Sequence, residues 1–145
     1  MARRFCLFAN PGAGRARDAL GAAGRALDRL GIAYGQVQPA TAAELRAGIR
    51  RIADRVDAVI VAGGDGTINA ALPALLDTAV PLGVLPLGTA NDFARTLGVA
   101  SDPEAAVRVL TTGRVRGVDL GRVNGRLFCN VAHIGLGAHA HSHAP

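Results

Sequence analysis

Short apolar runs along this chain alternate with longer stretches in which apolar positions recur every three or four residues. The runs Phe5 to Ala9, Ala33 to Val37, Ala58 to Ala62 and Leu82 to Leu85 have the length and β-branched content of strands. Each is followed by a turn and then by a segment with helical spacing. The alternation predicts βαβ units, hence a three-layer α/β fold with a mainly parallel sheet covered by helices on both faces. Thr41-Ala42-Ala43-Glu44 reads as a capping box that opens the second helix. A third helix is expected over Ile68 to Leu76. Another opens at Asp102-Pro103-Glu104, with the acid as cap and the proline at the first helical position, and runs to about Thr111.

The pattern changes after Gly113. Val115 to Val123 and Arg126 to Val131 are extended runs joined by Asn124-Gly125, the strongest short-range signal for a β-hairpin. Antiparallel pairing after a series of parallel units marks the start of a different structure. The expected division is therefore one domain over residues 1–131, with residues 132–145 as the cut-short beginning of a second, β-rich domain that ends in a disordered tail.

Three polar or glycine-rich loops sit where predicted strands end. They are Asn10-Pro11-Gly12-Ala13-Gly14 after the first, Gly63-Gly64-Asp65-Gly66-Thr67 after the third, and Gly88-Thr89-Ala90-Asn91-Asp92 after the fourth. In an open parallel sheet, ligands bind outside the carboxyl ends of the strands. Glycine lets the backbone take positive φ and approach an anion closely, and a helix N-terminus adds N–H donors and partial positive charge. The loops together point to a nucleotide or another phosphorylated ligand. A dinucleotide fingerprint does not fit, because its third glycine would fall at Arg17 and no acid follows the second strand.

Composition narrows the choice. Half of the 145 residues are apolar, enough for one core. No apolar stretch approaches the ~20 residues that would span a bilayer, and the N-terminus lacks a signal-peptide run, so a cytoplasmic protein is expected. Both cysteines, Cys6 and Cys129, lie in strand-like runs and read as reduced structural residues. The net charge is +5, and all 16 basic residues are arginine. Without lysine, neither the P-loop nor the protein-kinase solution to ATP binding is available. Aromatic residues are too few for a single-stranded nucleic-acid platform. The positive charge suits an anionic substrate or the inner face of a membrane.

Taken together, Asn10-Pro-Gly-Ala-Gly14, Gly63-Gly-Asp-Gly-Thr67-Ile-Asn69 and Gly88-Thr-Ala-Asn-Asp92-Phe-Ala-Arg95 resemble the diacylglycerol kinase catalytic domain family, closest to its YegS-like bacterial lipid kinase branch. The glycine-aspartate loop is shared with NAD kinases, and the third motif separates lipid kinases from them. The resemblance implies an ATP-dependent kinase acting on a diacylglycerol- or phosphatidylglycerol-type hydroxyl, with Mg²⁺ bridging the phosphates. It also implies a longer protein whose second domain completes the cleft and binds the lipid. Carried onto matching positions, Asn10, Gly12, Gly14 and Thr41 flank the nucleotide. Gly63, Gly64, Asp65, Gly66 and Thr67 cradle the phosphates beside Ile68 and Asn69, while Thr89, Asn91 and Asp92 approach from the third loop. Asp65 is the implied catalytic residue, holding Mg²⁺ or orienting the acceptor hydroxyl, and both roles stay open. The alternative functions are nucleotide binding without turnover, by a fragment or pseudoenzyme, and an NAD kinase-like activity, which the third motif disfavours.

Plainer readings stand beside these. Thr41, Asn91 and Asp92 also suit helix caps. Arg46, Arg50, Arg51 and Arg55, like Arg25 and Arg29, recur at helical spacing and read as solvated helix faces. His139, His141 and His143 read as part of a frayed tail.

Overall fold

The computed structural model describes residues 3–10 and 15–130. Strands β1 (Arg4–Ala9), β2 (Ala33–Val37), β3 (Ala58–Gly63) and β4 (Leu82–Pro86) alternate with helices α1 (Arg15–Arg29), α2 (Ala42–Ile52) and α3 (Asp65–Thr78). Helices α4 (Asp92–Thr96) and α5 (Pro103–Thr112) follow, then a hairpin of β5 (Gly121–Val123) and β6 (Arg126–Phe128). The first four strands form one parallel sheet in the order β2-β1-β3-β4.

Side chains alternate across this sheet, as its period of two requires. Phe5, Leu7, Ile60 and Leu85 meet Leu20, Ala23 and Leu27 of α1 and Ala106 and Val107 of α5. Cys6, Phe8, Val59, Val61 and Val84 meet Leu45 and Ile49 of α2, Ile68 and Ala71 of α3, and Phe93 of α4. The two cores give the three-layer architecture. An ion pair ties the outer helices on each side, Arg29 to Glu104 and Arg50 to Asp77, each at 2.6 Å. Arg50 is thus engaged with α3, and Arg46 is half-buried rather than fully solvated.

Several boundaries differ from the expected ones for identifiable reasons. Helix α3 begins at Asp65, three residues before Ile68, because Gly64 is extended (φ −92°, ψ −174°) and its carbonyl accepts the Ile68 N–H at 3.1 Å. The hairpin is much shorter than the runs suggest. Asn124 and Gly125 both have positive φ (47° and 76°), as a tight hairpin turn needs, but pairing stops at Gly121 and Phe128. Residues 114–120 have no partner strand among the described residues, and Val115 is 80% exposed. Val131 and the three histidines of the tail lie outside the described residues.

Candidate active site

Register brings the loops to one level. Ala9 pairs with Ala62 and Gly63 with Pro86, so the chain leaves β1, β3 and β4 side by side. The connection after β1 runs to β2 on one side, and the connection after β3 runs to β4 on the other. The crevice between β1 and β3 is therefore a topological switch point, where open α/β sheets bind ligands.

The glycines at this edge serve close approach rather than unusual dihedrals, which corrects the expectation of positive φ. Among the described glycines only Gly31, Gly98 and Gly125 have it. A Cβ on Gly63 would lie 2.7 Å from the Thr67 side chain, and one on Gly88 would lie 2.5 Å from the Gly64 Cα. The β3 and β4 loops thus touch backbone to backbone. Leu87 reinforces the contact by donating its N–H to the Gly63 carbonyl at 3.1 Å. Gly66 differs from both, being exposed with open space where a Cβ would stand.

Asp65 sits in the first turn of α3, and its carboxylate reaches across to the start of α4. One oxygen accepts the Asp92 N–H and the other the Phe93 N–H, each at 3.0 Å. A residue of one helix thereby caps the next, 27 positions along the chain. Asn91, for which a helix cap is the plainer reading, stands at the N-cap position of α4, but its side chain does not cap the helix. It adopts a left-handed conformation (φ 51°), and its side chain accepts from the Gly88 N–H at 2.9 Å and donates to the Gly88 carbonyl at 2.7 Å. The start of α3 itself has no side-chain cap, and the N–H groups of Asp65 and Gly66 have no partner among the described residues.

The other candidate positions divide. Thr41 caps α2 by accepting the Glu44 N–H at 3.1 Å, while Glu44 reaches back to the Ala40 N–H at 2.9 Å. Asn10 and Thr89 are exposed on the loop edge. Ile68 is a core residue, 1% exposed, so its side chain takes no part in the edge. Asn69 turns toward the hairpin. Its carbonyl oxygen accepts the Cys129 N–H at 3.1 Å and its thiol at 3.3 Å, and its amide donates to Asn130 at 3.2 Å. Gly12 and Gly14 lie outside the described residues. Cys129 is held protonated, burial and then the charge of Asp65 pushing its thiol up to about 11.

The profile of the family described as "Diacylglycerol kinase catalytic domain" matches residues 4–123. The chain belongs to that family. A Pseudomonas syringae protein described as "Probable lipid kinase YegS-like" is 41% identical over 112 residues, covering 76% of this chain and 34% of that protein. "Diacylglycerol kinase" of Bacillus subtilis is 48% identical over 79 residues, covering 52% and 26%. The crystal structure of a diacylglycerol kinase from Bacillus anthracis superposes with a TM-score of 0.76 at 29% identity, over 87% of this chain and 45% of that one. The matches thus span about a quarter to a third of the curated relatives and under half of the solved neighbour.

For Mg²⁺, no three His, Cys, Asp or Glu side chains are grouped among the described residues. Mg²⁺ is ordinarily held by one or two carboxylates together with phosphate oxygens. Asp65 and the adjacent Asp92 are the acids at the edge. The Asp65 carboxylate keeps two of its roughly four acceptor positions after capping α4.

Proposed function

We propose that this chain is the nucleotide-binding lobe of an ATP-dependent lipid kinase that phosphorylates a hydroxyl of a diacylglycerol- or phosphatidylglycerol-type lipid. One observation carries the reading: an uncapped helix N-terminus lies at the switch point, flanked by two loops in backbone contact. Bare N–H groups and a helix dipole favour phosphate there. The names of the lipid kinase relatives support the acceptor class.

Bound Mg-ATP would supply the transferable phosphoryl group and a metal that spreads its charge. Residues of this chain do the positioning that phosphoryl transfer mainly requires. Asp65 and Gly66 present N–H groups to the phosphates. Gly64 and Gly88 keep side chains out of the space between their loops. Asn10, Gly12, Gly14 and Thr41 flank the nucleotide on the β1 and β2 side, Thr89 on the β4 side. Asp65, with Asp92 beside it, would hold Mg²⁺, which would offset charge on the phosphates. No helix among the described residues is long and apolar enough to cross a membrane. A second reading is nucleotide binding without turnover.

Calorimetric titration with ATP, with and without Mg²⁺, tests the reading. Wild type is expected to bind more tightly with the metal, and Gly66→Val to lose binding with an unchanged circular dichroism spectrum. ATP binding retained in Gly66→Val would remove the α3 N-terminus from the phosphate site. Labelled ATP with each lipid then separates the two readings by turnover.

A further inference from the structure

The parallel sheet ends at β2, which pairs with β1 on one side and with no strand on the other among the described residues. The backbone groups along its outer side make no hydrogen bond there. Folded chains guard such an edge with charged side chains, proline, a bulge or a covering element. Residues 32–38 hold no charge and no proline, and Ala33, Gly35 and Gln36 are exposed.

This edge complements itself. Gly35 is the middle residue of the strand, so antiparallel pairing of two β2 strands about a twofold axis sets Gly35 against Gly35. Ala33 then stands opposite Val37 and Tyr34 opposite Gln36, with no like charges in contact. Helix α1 complements itself as well. Its side toward β2 is marked by Gly24, where a Cβ would lie 2.9 Å from the Tyr34 hydroxyl. Arg17 and Asp28, seven residues before Gly24 and four after it, share that side. Both are exposed, and neither has an ion-pair partner among the described residues. Strands about 4.8 Å apart place a helix lying over β1 and β2 about 5 Å from the axis, so two α1 helices would stand about 10 Å apart, at packing distance. Antiparallel to each other, they bring Arg17 of one copy to Asp28 of the other. We propose that β2 and α1 form a self-association surface, through which two copies of this chain join their sheets into one, with four strands from each. The strands of the two copies run in opposite directions, so their loop edges face opposite ends and both β1–β3 crevices stay open. The association is separate from nucleotide binding and stands or falls without it.

Sedimentation equilibrium of the whole chain over a wide concentration range, without nucleotide, tests this. Wild type is expected to approach twice its 14.8 kDa mass as concentration rises. Gly35 has open space where a Cβ would stand, so Gly35→Lys and Gly35→Glu should both fold. Each alone is expected to stay monomeric, because like charges would face each other across the axis, and an equimolar mixture is expected to recover the doubled mass. Arg17→Asp is expected to weaken association roughly tenfold, turning two exposed attractive pairs repulsive. Adding Asp28→Arg to it should restore wild-type association, which a merely local effect on α1 would not do. Circular dichroism checks that each variant is folded. A wild type that stays at 14.8 kDa overturns the proposal. So do Gly35→Lys and Gly35→Glu variants that dimerise unmixed, or a mixture of them that fails to recover. An Arg17→Asp, Asp28→Arg double variant no better than Arg17→Asp overturns the pairing of the α1 helices.

Discussion

Replacing Asp65 with asparagine removes more than a charge facing a ligand. The carboxylate accepts two backbone N–H groups at the start of α4, each at 3.0 Å in a half-buried setting. Asparagine offers one acceptor oxygen, and its NH₂ would face the other N–H. One charge-assisted bond is lost, worth about 1.5–3 kcal/mol where buried, and favourable charge near two helix N-termini is lost with it, about 0.3–1 kcal/mol. Partial exposure argues for the lower end, so a destabilisation of about 2 kcal/mol is expected with no ligand present. Against a total of roughly 5–15 kcal/mol that is a large loss. Urea denaturation followed by circular dichroism reads it as a midpoint lowered by about 1 M, taking a slope of about 2 kcal/mol per molar. A midpoint unchanged within error would refute the capping role. The expected result also means that weaker nucleotide binding by Asp65→Asn cannot be assigned to metal loss until stability has been measured.

The glycines separate by mechanism. Gly88→Ala should lower the melting temperature and separate the β3 and β4 loops, because its Cβ would meet the Gly64 Cα at 2.5 Å. Gly66→Ala, in open space within a helix, should raise stability by about 0.5–1 kcal/mol in the same melts. Cys129 at about 11 should react with iodoacetamide at pH 8 roughly a hundredfold more slowly than an ordinary thiol, a ratio read by mass spectrometry against the denatured chain. The unfolded chain ionises this thiol first, so its contribution to stability is full below about 9 and is lost as pH rises towards about 11. Cys129→Ala should flatten that part of the pH–stability curve, leaving the smaller share from Cys6, whose thiol burial also pushes up.

Local chemistry made the layers legible. Apolar runs of strand length, the Thr41–Glu44 capping box and the Asp102-Pro103 helix start all describe interactions within a few residues, and α2 and α5 begin where those signals stand. The Asn124-Gly125 turn was readable for the same reason, but strand length was not, since it depends on whether a partner lies alongside. Asp65 capping α4 and Asn69 holding Cys129 join positions 27 and 60 residues apart, which no periodicity encodes. The glycine spacing announced a close approach without saying to what. The answer, one loop against another, required the strand order. Arg50 read as solvated because its partner Asp77 lies on a different helix.

The Asn69 bracket has a mechanical meaning. It fastens the hairpin to α3 four residues from the helix start, roughly 6 Å of helix rise from Asp65. A pull on the hairpin is applied almost at the fulcrum rather than at the far end of a rod about 21 Å long. With so short a lever arm, α3 shifts along the pull more readily than it swings. Such a shift carries the first turn and, through the Asp65 cap, the start of α4 with it, so a tug on one strand displaces both loops together and leaves the gap between them unchanged.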